Sequence, residues 1–304
     1  MIKKFALNKI IFSSLCLLLF ALFYFFPTHE NINYEIVSDN NKEKNIVYLL
    51  DEDNYISRVI SYFDSKTIEE EIVNKINILI NGLSEYDNFY PLIPKDTKLN
   101  SIKVDKDSVY LDFSKEILSI NSYLEESMLE SIVYSLTEIN GINNIYISVD
   151  GKRLDKLPFS NKIINYPLTR NIGINKEYNI NNLNNLYKTT VYFLKDNNDI
   201  SYYVPVTLVN NSNEEKVELI INELKSSINS QNNLKSFLTD KVKLLNYEIE
   251  NDNISLVFNE QIKNVEEYLI ASSIFENYKV NKVTFKSDSK TNVINKSDLK
   301  KLDF

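Results

Sequence analysis

Side chains that commonly act as nucleophiles or general bases are scarce in this 304-residue sequence, which contains one His and one Cys. A serine or cysteine nucleophile activated by histidine would have to use His29, which lies three residues after an apolar run. Cys16 alone can form neither an internal disulfide nor a cysteine-based zinc site. The four Gly form no G-x-G-x-x-G or Walker A pattern, which argues against a glycine-built nucleotide site. Carboxylates are therefore the main candidates for chemistry.

Asp112 and Glu138 are the carboxylates that could work as a pair. Glycoside hydrolysis needs two carboxyl groups about 5–9.5 Å apart. A structural role fits the sequence better, because Asp112 lies beside Ser114 at a strand-to-loop turn, where a short acid hydrogen-bonds backbone N–H groups. We expect Glu138 to act similarly near the end of a helix. The sequence thus predicts no catalytic residue and a protein that is not an enzyme.

Asp51, Glu52 and Asp53 form an acidic turn, which is a candidate cation site because calcium loops use closely spaced oxygen ligands. The residue order and the glycine of an EF-hand loop are missing, and the matching segment 196–199 is equally plain. We therefore predict a solvated hairpin turn and no metal or cofactor, with Asp51 and Asp53 as the candidate ligands if a cation binds.

The charge balance argues against nucleic acid as a partner. The formal net charge is −8, and the first 26 residues hold three Lys and no acid, so the remaining chain carries −11. An acidic body repels a phosphate backbone. The 20 Tyr are spread along the chain with no cluster at a motif, so we expect half-buried strand residues rather than a sugar-stacking surface.

Residues 10–26 form an unbroken run of 17 uncharged residues, IIFSSLCLLLFALFYFF. As a helix this run spans about 25 Å, near the lower limit for crossing a bilayer. The preceding Lys3, Lys4 and Lys9 place residues 1–9 in the cytoplasm and the body outside, as a single-pass protein of the cell membrane. A cleaved signal peptide and a lipoprotein are the alternatives. The length of the run, the absence of a small-residue cleavage site and the position of Cys16 after Leu15 favour an uncleaved anchor.

The body is a tandem repeat. Four pairs of segments match in the same order at nearly constant spacing: 46–51 with 191–196, 70–80 with 214–224, 104–117 with 249–262, and 142–147 with 280–285. The first and third pairs have an offset of 145 residues. This spacing exceeds that of solenoid repeats, so each unit can hold its own core.

Each unit shows the order β-β-α-β-β-α-β, which predicts α+β domains with helices on one face of a mainly antiparallel sheet. Thr67 and Gly82 are the expected ends of the first helix. The predicted organisation is a cytoplasmic tail (1–9), the anchor (10–26), a stalk (27–45), a first domain (46–151), an Asn-rich linker (152–188), a second domain (189–287) and a polar tail (288–304). The composition of the tail predicts disorder.

Several motifs of the first unit occur together in a known family. They are the YLLDEDNYI strand and turn, the ILINGL helix end, the loop with Pro94 and Thr97, the strand with Asp112, Phe113 and Ser114, and the closing segment with Thr137, Glu138, Gly141 and Gly151. In this the chain resembles a tandem GerMN-domain protein of the GerM-like sporulation and germination family. The second unit is degraded, with Val257, Asn259 and Phe275 where Asp112, Ser114 and Thr137 stand in the first.

The resemblance implies an extracytoplasmic, membrane-attached protein that helps to assemble complexes between two membranes during spore formation. It also implies a fold similar to the ring-building modules of secretion and sporulation channels. Known relatives often use a lipid anchor, from which the predicted transmembrane anchor departs.

Two functions remain open at this point. The first is an interaction module whose partners are envelope or sporulation proteins, or further copies of itself. The second is a protein that binds peptidoglycan or cuts it with acidic residues.

Overall fold

The computed structural model describes residues 42–197, 200–225, 233–236, 238–288 and 290–301. The first repeat comprises β1 (Lys44–Asp51), β2 (Ile56–Tyr62), α1 (Ile68–Asn81), β3 (Phe89–Tyr90), β4 (Leu99–Asp105), β5 (Ser108–Phe113), α2 (Glu125–Leu136), β6 (Asn144–Val149) and β7 (Lys152–Arg153). After β8 (Glu177–Asn179), the second repeat comprises β9 (Tyr187–Asn197), β10 (Ile200–Asn210), α3 (Lys216–Lys225), β11 (Leu234–Lys235), β12 (Leu244–Glu250), β13 (Asn253–Phe258), α4 (Asn264–Asn277), β14 (Lys282–Lys286) and β15 (Thr291–Asn295). The predicted order of the longer elements is confirmed in both repeats.

Helix α1 begins and ends where the sequence predicts. The Thr67 side chain accepts a hydrogen bond from the backbone N–H of Glu70, which satisfies one free donor of the first turn. Gly82 ends the helix at a φ of 78°, which only glycine adopts without strain, and its N–H donates to the Ile78 carbonyl at 2.8 Å.

The strands of the two repeats combine into three sheets. A seven-stranded sheet has the order β11-β9-β10-β2-β1-β3, with β8 paired to β10. Each repeat adds a four-stranded sheet, β4-β5-β6-β7 in the first and β12-β13-β14-β15 in the second. Strands β11, β9 and β10 of the second repeat are equivalent to β3, β1 and β2 of the first, so each half of the large sheet repeats the other in reverse order. A local twofold axis between β2 and β10 therefore relates the two repeats. Tyr203 pairs with Arg58 at this junction.

The prediction of one mainly antiparallel sheet for each domain is therefore wrong in two respects. The strands of each repeat divide between two sheets, and the first hairpins of both repeats share one of them. In addition, β5 pairs with β6 and β13 pairs with β14 in parallel. A parallel pair needs a long crossover, which α2 and α4 supply.

Helices α2 and α4 lie inside the molecule rather than on its surface. Met128, Ile132 and Val133 of α2 are buried, and so are the hydroxyls of Ser131 and Ser135. Both hydroxyls form hydrogen bonds with the backbone of Tyr48. Ser131 Oγ donates to the Tyr48 carbonyl at 2.6 Å, and Ser135 Oγ accepts from the Tyr48 N–H at 2.9 Å. Small polar side chains thus let α2 approach β1 closely while satisfying polar groups.

The matching contact in the second repeat corrects the sequence alignment by one residue. The N–H of Tyr192 donates to Ser273 Oγ at 2.9 Å, as that of Tyr48 does to Ser135. Tyr192 is therefore the equivalent of Tyr48, at an offset of 144 and not 145 residues. A shift of one residue in a strand moves every side chain to the other face, so Lys195, and not Asp196, is the equivalent of Asp51.

The segment 152–188, predicted as a polar linker, packs against both repeats. Leu157, Leu168 and Ile174 are buried in the core. The Asn175 side chain donates to the carbonyls of Ile56 and Pro205 at 2.8 and 2.7 Å, which joins the two central hairpins. The buried apolar residues of this segment are not regularly spaced, so the sequence contains no helix or strand pattern that would predict their burial.

The predicted disorder of the polar tail is also wrong for the residues that the structure describes. Strand β15 pairs with β14, and Ile294 is buried. The following 3₁₀ segment, Lys296–Lys301, returns to the first repeat. There the Leu299 carbonyl accepts from Arg58 Nη2 at 2.9 Å, and Lys300 Nζ donates to the Glu138 carbonyl at 3.1 Å.

The described residues from 42 onward belong to one compact unit. The predicted tail, the predicted anchor and nearly all of the predicted stalk lie outside the described residues. In the described part of the chain, no helix has the length and apolarity that crossing a bilayer requires.

We expect the C-terminal 3₁₀ segment to stabilise the first repeat. Deleting residues 296–304 from the body (residues 42–304) removes the Leu299 carbonyl, which accepts one hydrogen bond from the buried Arg58 guanidinium, and hydrogen bonds to charged groups contribute about 1.5–3 kcal/mol. Urea unfolding should show a loss of about this size. Deletion of residues 302–304 alone keeps the Leu299 carbonyl and serves as the control, and equal stability of the two variants would contradict the assignment.

Candidate functional site

One guanidinium bridges the two repeats at the centre of the molecule. Arg170 lies in a 3₁₀ turn, Arg170–Ile172, within the segment that joins the repeats. Its Nη2 contacts Glu138 Oε1 at 2.6 Å, and its Nη1 contacts Glu276 Oε2 at 2.6 Å. Glu138 follows α2, and Glu276 occupies the equivalent position in the last turn of α4. A single arginine from outside the repeated elements thus forms an ion pair with both copies of one repeated acid.

Two equivalent tyrosines complete this cluster. The Tyr48 hydroxyl donates to Glu138 Oε1 at 3.0 Å, and the Tyr192 hydroxyl donates to Glu276 Oε2 at 3.2 Å. The two hydroxyl oxygens lie 3.3 Å apart. The arrangement is twofold symmetric except for Arg170, and we call these five residues the Arg170 cluster.

The electrostatics of the Arg170 cluster fix its protonation state. Burial opposes the charge on Glu138, but Arg170 and Arg58 outweigh it and lower the pKa of this carboxyl to about 2. Burial raises the pKa of the Tyr48 and Tyr192 hydroxyls. Near neutral pH Glu138 is an anion and both phenols are neutral, so Glu138 cannot serve as a general acid, which requires a raised pKa.

The acidic turn holds a cation that belongs to the protein itself. Lys195 Nζ lies 2.8 Å from Asp51 Oδ2 and 2.8 Å from Asp53 Oδ2. Asp51 and Lys195 are both buried, at 1% and 3% exposure. The Asp51 carboxylate accepts five hydrogen bonds, from the N–H groups of Asp53 and Tyr55, the hydroxyls of Ser57 and Tyr202 and the ammonium of Lys195.

This geometry differs from the solvated hairpin turn that the sequence predicts, because Asp51 is the most buried acid of the turn. Lys195 lowers the pKa of Asp53, first through a hydrogen bond and second through its charge. No group of three or more His, Cys, Asp or Glu side chains that could hold a metal ion occurs among the described residues. The ammonium of Lys195 stands where the sequence analysis considered an external cation.

Asp112 and Glu138, the conceivable catalytic pair, bind different parts of the fold. Asp112 Oδ1 accepts from the Gly151 N–H at 2.8 Å, and its Oδ2 accepts from Asn100 Nδ2 at 3.2 Å. Asp112 therefore ties β5 to the turn between β6 and β7, while Glu138 belongs to the Arg170 cluster. The structure does not join the two acids through a common contact.

The other motif residues of the first repeat lie at turns and in the core. Thr97 donates its N–H to the Pro94 carbonyl, Phe113 is fully buried, and Ser114 Oγ accepts from the Lys98 N–H at 2.9 Å. Thr137 Oγ1 accepts from Arg170 Nε at 2.8 Å, and Gly141 and Gly151 have φ values of 87° and 76°. Phe113, Ser114, Thr137, Gly141 and Gly151 thus each have a contact or a backbone conformation that explains the residue type. The Thr97 bond involves only its backbone, and its Oγ1 is buried without a hydrogen-bond partner among the described residues.

Three tyrosines form a row on the outer face of the first four-stranded sheet, a cluster that the sequence analysis missed. Tyr110 and Tyr146 stack at 4.6 Å and 9°, and Tyr146 and Tyr166 at 5.6 Å and 10°. Lys103 and Arg153 lie over the two end rings, at 5.6 and 4.3 Å from the centroids. Because neighbouring rings and cations cover the ring faces, the row offers edges rather than the free aromatic faces on which sugars stack.

Sequence reasoning also missed Arg170, Tyr48, Tyr192 and Glu276 as one cluster. Two signals were available. Arg170 is one of only three Arg in the chain, and no other Arg follows it. With Phe275 at the position of Thr137, Glu276 follows at the position of Glu138, so both repeats have an acid there. The contact of both acids with one arginine depends on how the repeats assemble.

Comparisons with known proteins agree with this architecture. The family model Germane, described as "Sporulation and spore germination", matches residues 46–155 and 190–293. Spore germination protein GerM of Bacillus subtilis (strain 168) is 29% identical over 224 residues, which is 71% of this chain and 60% of that protein. The tandem GerMN domains of the sporulation protein GerM from Bacillus subtilis match with a TM-score of 0.73 at 25% identity, covering 82% of this chain and 92% of that one. The mixed α+β fold is therefore similar to tandem GerMN domains.

We expect Asp51 and Asp53 to differ greatly in their effect on stability, although both contact the same ammonium. Asp51→Asn leaves Lys195 buried without its buried counter-ion, and breaking a buried pair costs about 3–5 kcal/mol. Asp53 is half exposed, so Asp53→Asn should cost at most about 1 kcal/mol. Urea unfolding of the two body variants gives the comparison, and similar losses would refute the structural role of Asp51.

We also expect the effect of Arg170→Met to depend on pH. A folded-state pKa of about 2 against an ordinary 4.5 means that the ionised Glu138 contributes about 3 kcal/mol above pH 4.5, and that this contribution is lost as the pH falls toward 2. Removing Arg170 at pH 7 leaves buried acids unpaired and should cost about 3–5 kcal/mol.

The difference in unfolding free energy between Arg170→Met and the unaltered body should narrow between about pH 5 and pH 3, as Glu138 of the variant becomes protonated. Exposed Arg153→Met is the matched control, with a loss of at most about 1 kcal/mol at every pH. A loss for Arg170→Met that stays constant across this range would argue against the charge pairing.

Proposed function

Because the chain belongs to the Germane family of sporulation and spore germination proteins, we propose that it acts as a membrane-anchored, extracytoplasmic interaction protein without catalytic activity. It supports the assembly or localisation of an envelope complex in sporulation or germination. The chain spans 60% of the length of its GerM relative.

The main support for the proposal is that the candidate carboxylates already form hydrogen bonds and ion pairs with other groups of the protein. Glu138 is an anion paired with Arg170, Asp51 is saturated by five donors, and Asp112 holds the Gly151 turn. A wall hydrolase would instead need a carboxyl with a raised pKa beside a second carboxylate in an open cleft. The pKa of Glu138 is lowered instead, and Asp112 and Glu138 bind different parts of the fold.

The architecture suits an interaction role. The central sheet, the joining segment and the C-terminal 3₁₀ segment connect the two repeats, so they present their surfaces as one body. Residues 10–26 form the proposed anchor, with residues 1–9 in the cytoplasm, and residues 27–41 connect it to the body.

We expect Asp112→Asn in the full chain to leave spore yield and germination within about twofold of the unaltered protein in the source bacterium, because the amide oxygen of the substituted side chain can still accept from the Gly151 N–H. Deletion of the gene should lower either the spore yield or the germination efficiency. The full-length protein should remain in the membrane fraction after carbonate washing. Purified body mixed with insoluble peptidoglycan should stay in the supernatant and release no soluble wall fragments.

The outcomes separate the two functions. Cosedimentation with peptidoglycan would favour the wall-binding alternative. Release of wall fragments that Asp112→Asn abolishes, in a variant with unchanged thermal stability, would show an enzyme and end the proposal.

A further inference from the structure

The segment that connects β8 to β9 exposes apolar side chains and contains no charged residue. We call residues 178–187 (YNINNLNNLY) the 178–187 loop. Leu183 is 81% exposed, Tyr178 58%, Tyr187 44% and Leu186 41%. In a chain of which 25% of the residues are charged, four exposed apolar side chains within one uncharged segment are a feature of interaction sites.

The loop is held in one conformation by a side chain that follows β10. Asn211 Oδ1 accepts from the Asn181 N–H at 2.7 Å, and Asn211 Nδ2 donates to the carbonyls of Asn182 and Asn184 at 3.2 and 2.8 Å. Leu183 lies between these tethered residues. A loop that is ordered before binding loses little conformational entropy when it binds, which favours affinity.

The loop lies at the far corner of the central sheet from Lys44, where β1 begins. Lys44, at the start of β1, pairs with Tyr62, whereas Tyr187, at the start of β9, pairs with Asn210. The local twofold places these two strand starts at diagonally opposite corners, more than the roughly 27 Å length of an eight-residue strand apart. The loop therefore lies at the opposite end of the central sheet from Lys44.

An acidic groove of about 420 Å³ adjoins the loop, and Tyr178 lines both. Lys176 in the groove is bound by Glu126 and Glu130. The neighbouring Glu177 carboxylate makes no side-chain hydrogen bond or ion pair with the described residues, and burial raises its pKa. A half-buried carboxylate without a counter-ion beside an open groove is a place for a cationic side chain.

We propose that the 178–187 loop and this groove form the docking surface for a partner protein, which presents an apolar pocket to Leu183 and a Lys or Arg side chain to Glu177. This inference rests on the proposed function, because it names the surface through which the interaction module binds. Leu183 supplies the apolar anchor that becomes buried in the partner, Tyr178 and Tyr187 flank it, and Glu177 sets the orientation.

A protein fits this surface better than a bilayer does. The loop contains five Asn, at positions 179, 181, 182, 184 and 185, and each amide that enters hydrocarbon without a partner costs several kilocalories. A protein interface can hydrogen-bond those amides instead. The acidic groove is also repelled by anionic lipids.

The test uses the full chain in sporulating cells, with a photo-crosslinking amino acid in place of Leu183. The control carries the same amino acid at Leu245, which is 62% exposed on β12 of the second repeat. We expect one discrete adduct from position 183 that contains a protein other than this chain, and none of that mass from position 245.

Specificity is tested by adding substitutions to the chain that carries the crosslinker at 183. Asn211→Ala, which releases the loop, and Glu177→Gln, which removes the groove charge, should each lower the adduct yield about fivefold to tenfold. Glu250→Gln, an exposed acid on β12, is the matched control and should leave the yield unchanged. A yield that neither Asn211→Ala nor Glu177→Gln lowers would overturn the proposal.

Three further results of the crosslinking experiment would also overturn the proposal: no adduct above the control, an adduct with lipid, or an adduct of this chain with itself.

A strain with Leu183→Asp and Leu186→Asp separates this inference from the proposed function. Normal spore yield and germination in that strain, with a defect in the gene deletion, would refute the docking surface alone. A gene deletion without any defect would count against the proposed function.

Discussion

The whole body is organised around one charge constraint at the local twofold between the repeats. Duplication places two copies of the same glutamate, Glu138 and Glu276, against each other at the centre of the molecule. Two carboxylates cannot share such a partly buried site as anions without a cation between them. Arg170 meets this requirement from the joining segment, with one contact of 2.6 Å to each acid. The segment between the repeats is therefore part of the core, because its arginine is the counter-ion of both.

The same symmetry explains why the second repeat differs from the first at particular positions. Residues that meet near a twofold axis meet their own equivalents, so identical charges there would repel. The structure has Asp51 in the first repeat and Lys195 at the equivalent place in the second, and the two form a buried pair at 2.8 Å. The two copies are therefore complementary in charge at this position, although the sequence alignment paired Asp51 with a second acid, Asp196. The tyrosines Tyr48 and Tyr192 are neutral and can remain identical, with their hydroxyls 3.3 Å apart.

These internal contacts bear directly on function. The acids that could have served a hydrolase or a cation site bind Arg170, Lys195 or the backbone of the Gly151 turn instead. What remains for outside partners is the surface of a jointly folded pair of repeats. The stacked row of Tyr110, Tyr146 and Tyr166 covers its own ring faces, whereas the 178–187 loop holds Leu183 in solvent. The most exposed apolar feature of the described residues thus belongs to the segment that joins the repeats and contains Arg170.

The sequence by itself determined the features that depend on neighbours along the chain. The spacing of apolar residues indicated the order of strands and helices, Thr67 and Gly82 set the ends of α1, and self-comparison revealed the duplication. The scarcity of His, Cys and Gly excluded most catalytic chemistry. Only the tertiary structure decided that β2 and β10 join two repeats in one sheet, that the repeat register is 144 in the first strand, and that Arg170, Glu138 and Glu276 meet. Local periodicity reports which face of an element is buried, but it contains no information about what lies opposite that face. Contacts between residues far apart in the chain, such as Arg170 with Glu276 at a separation of 106 positions, depend on how the sheets assemble.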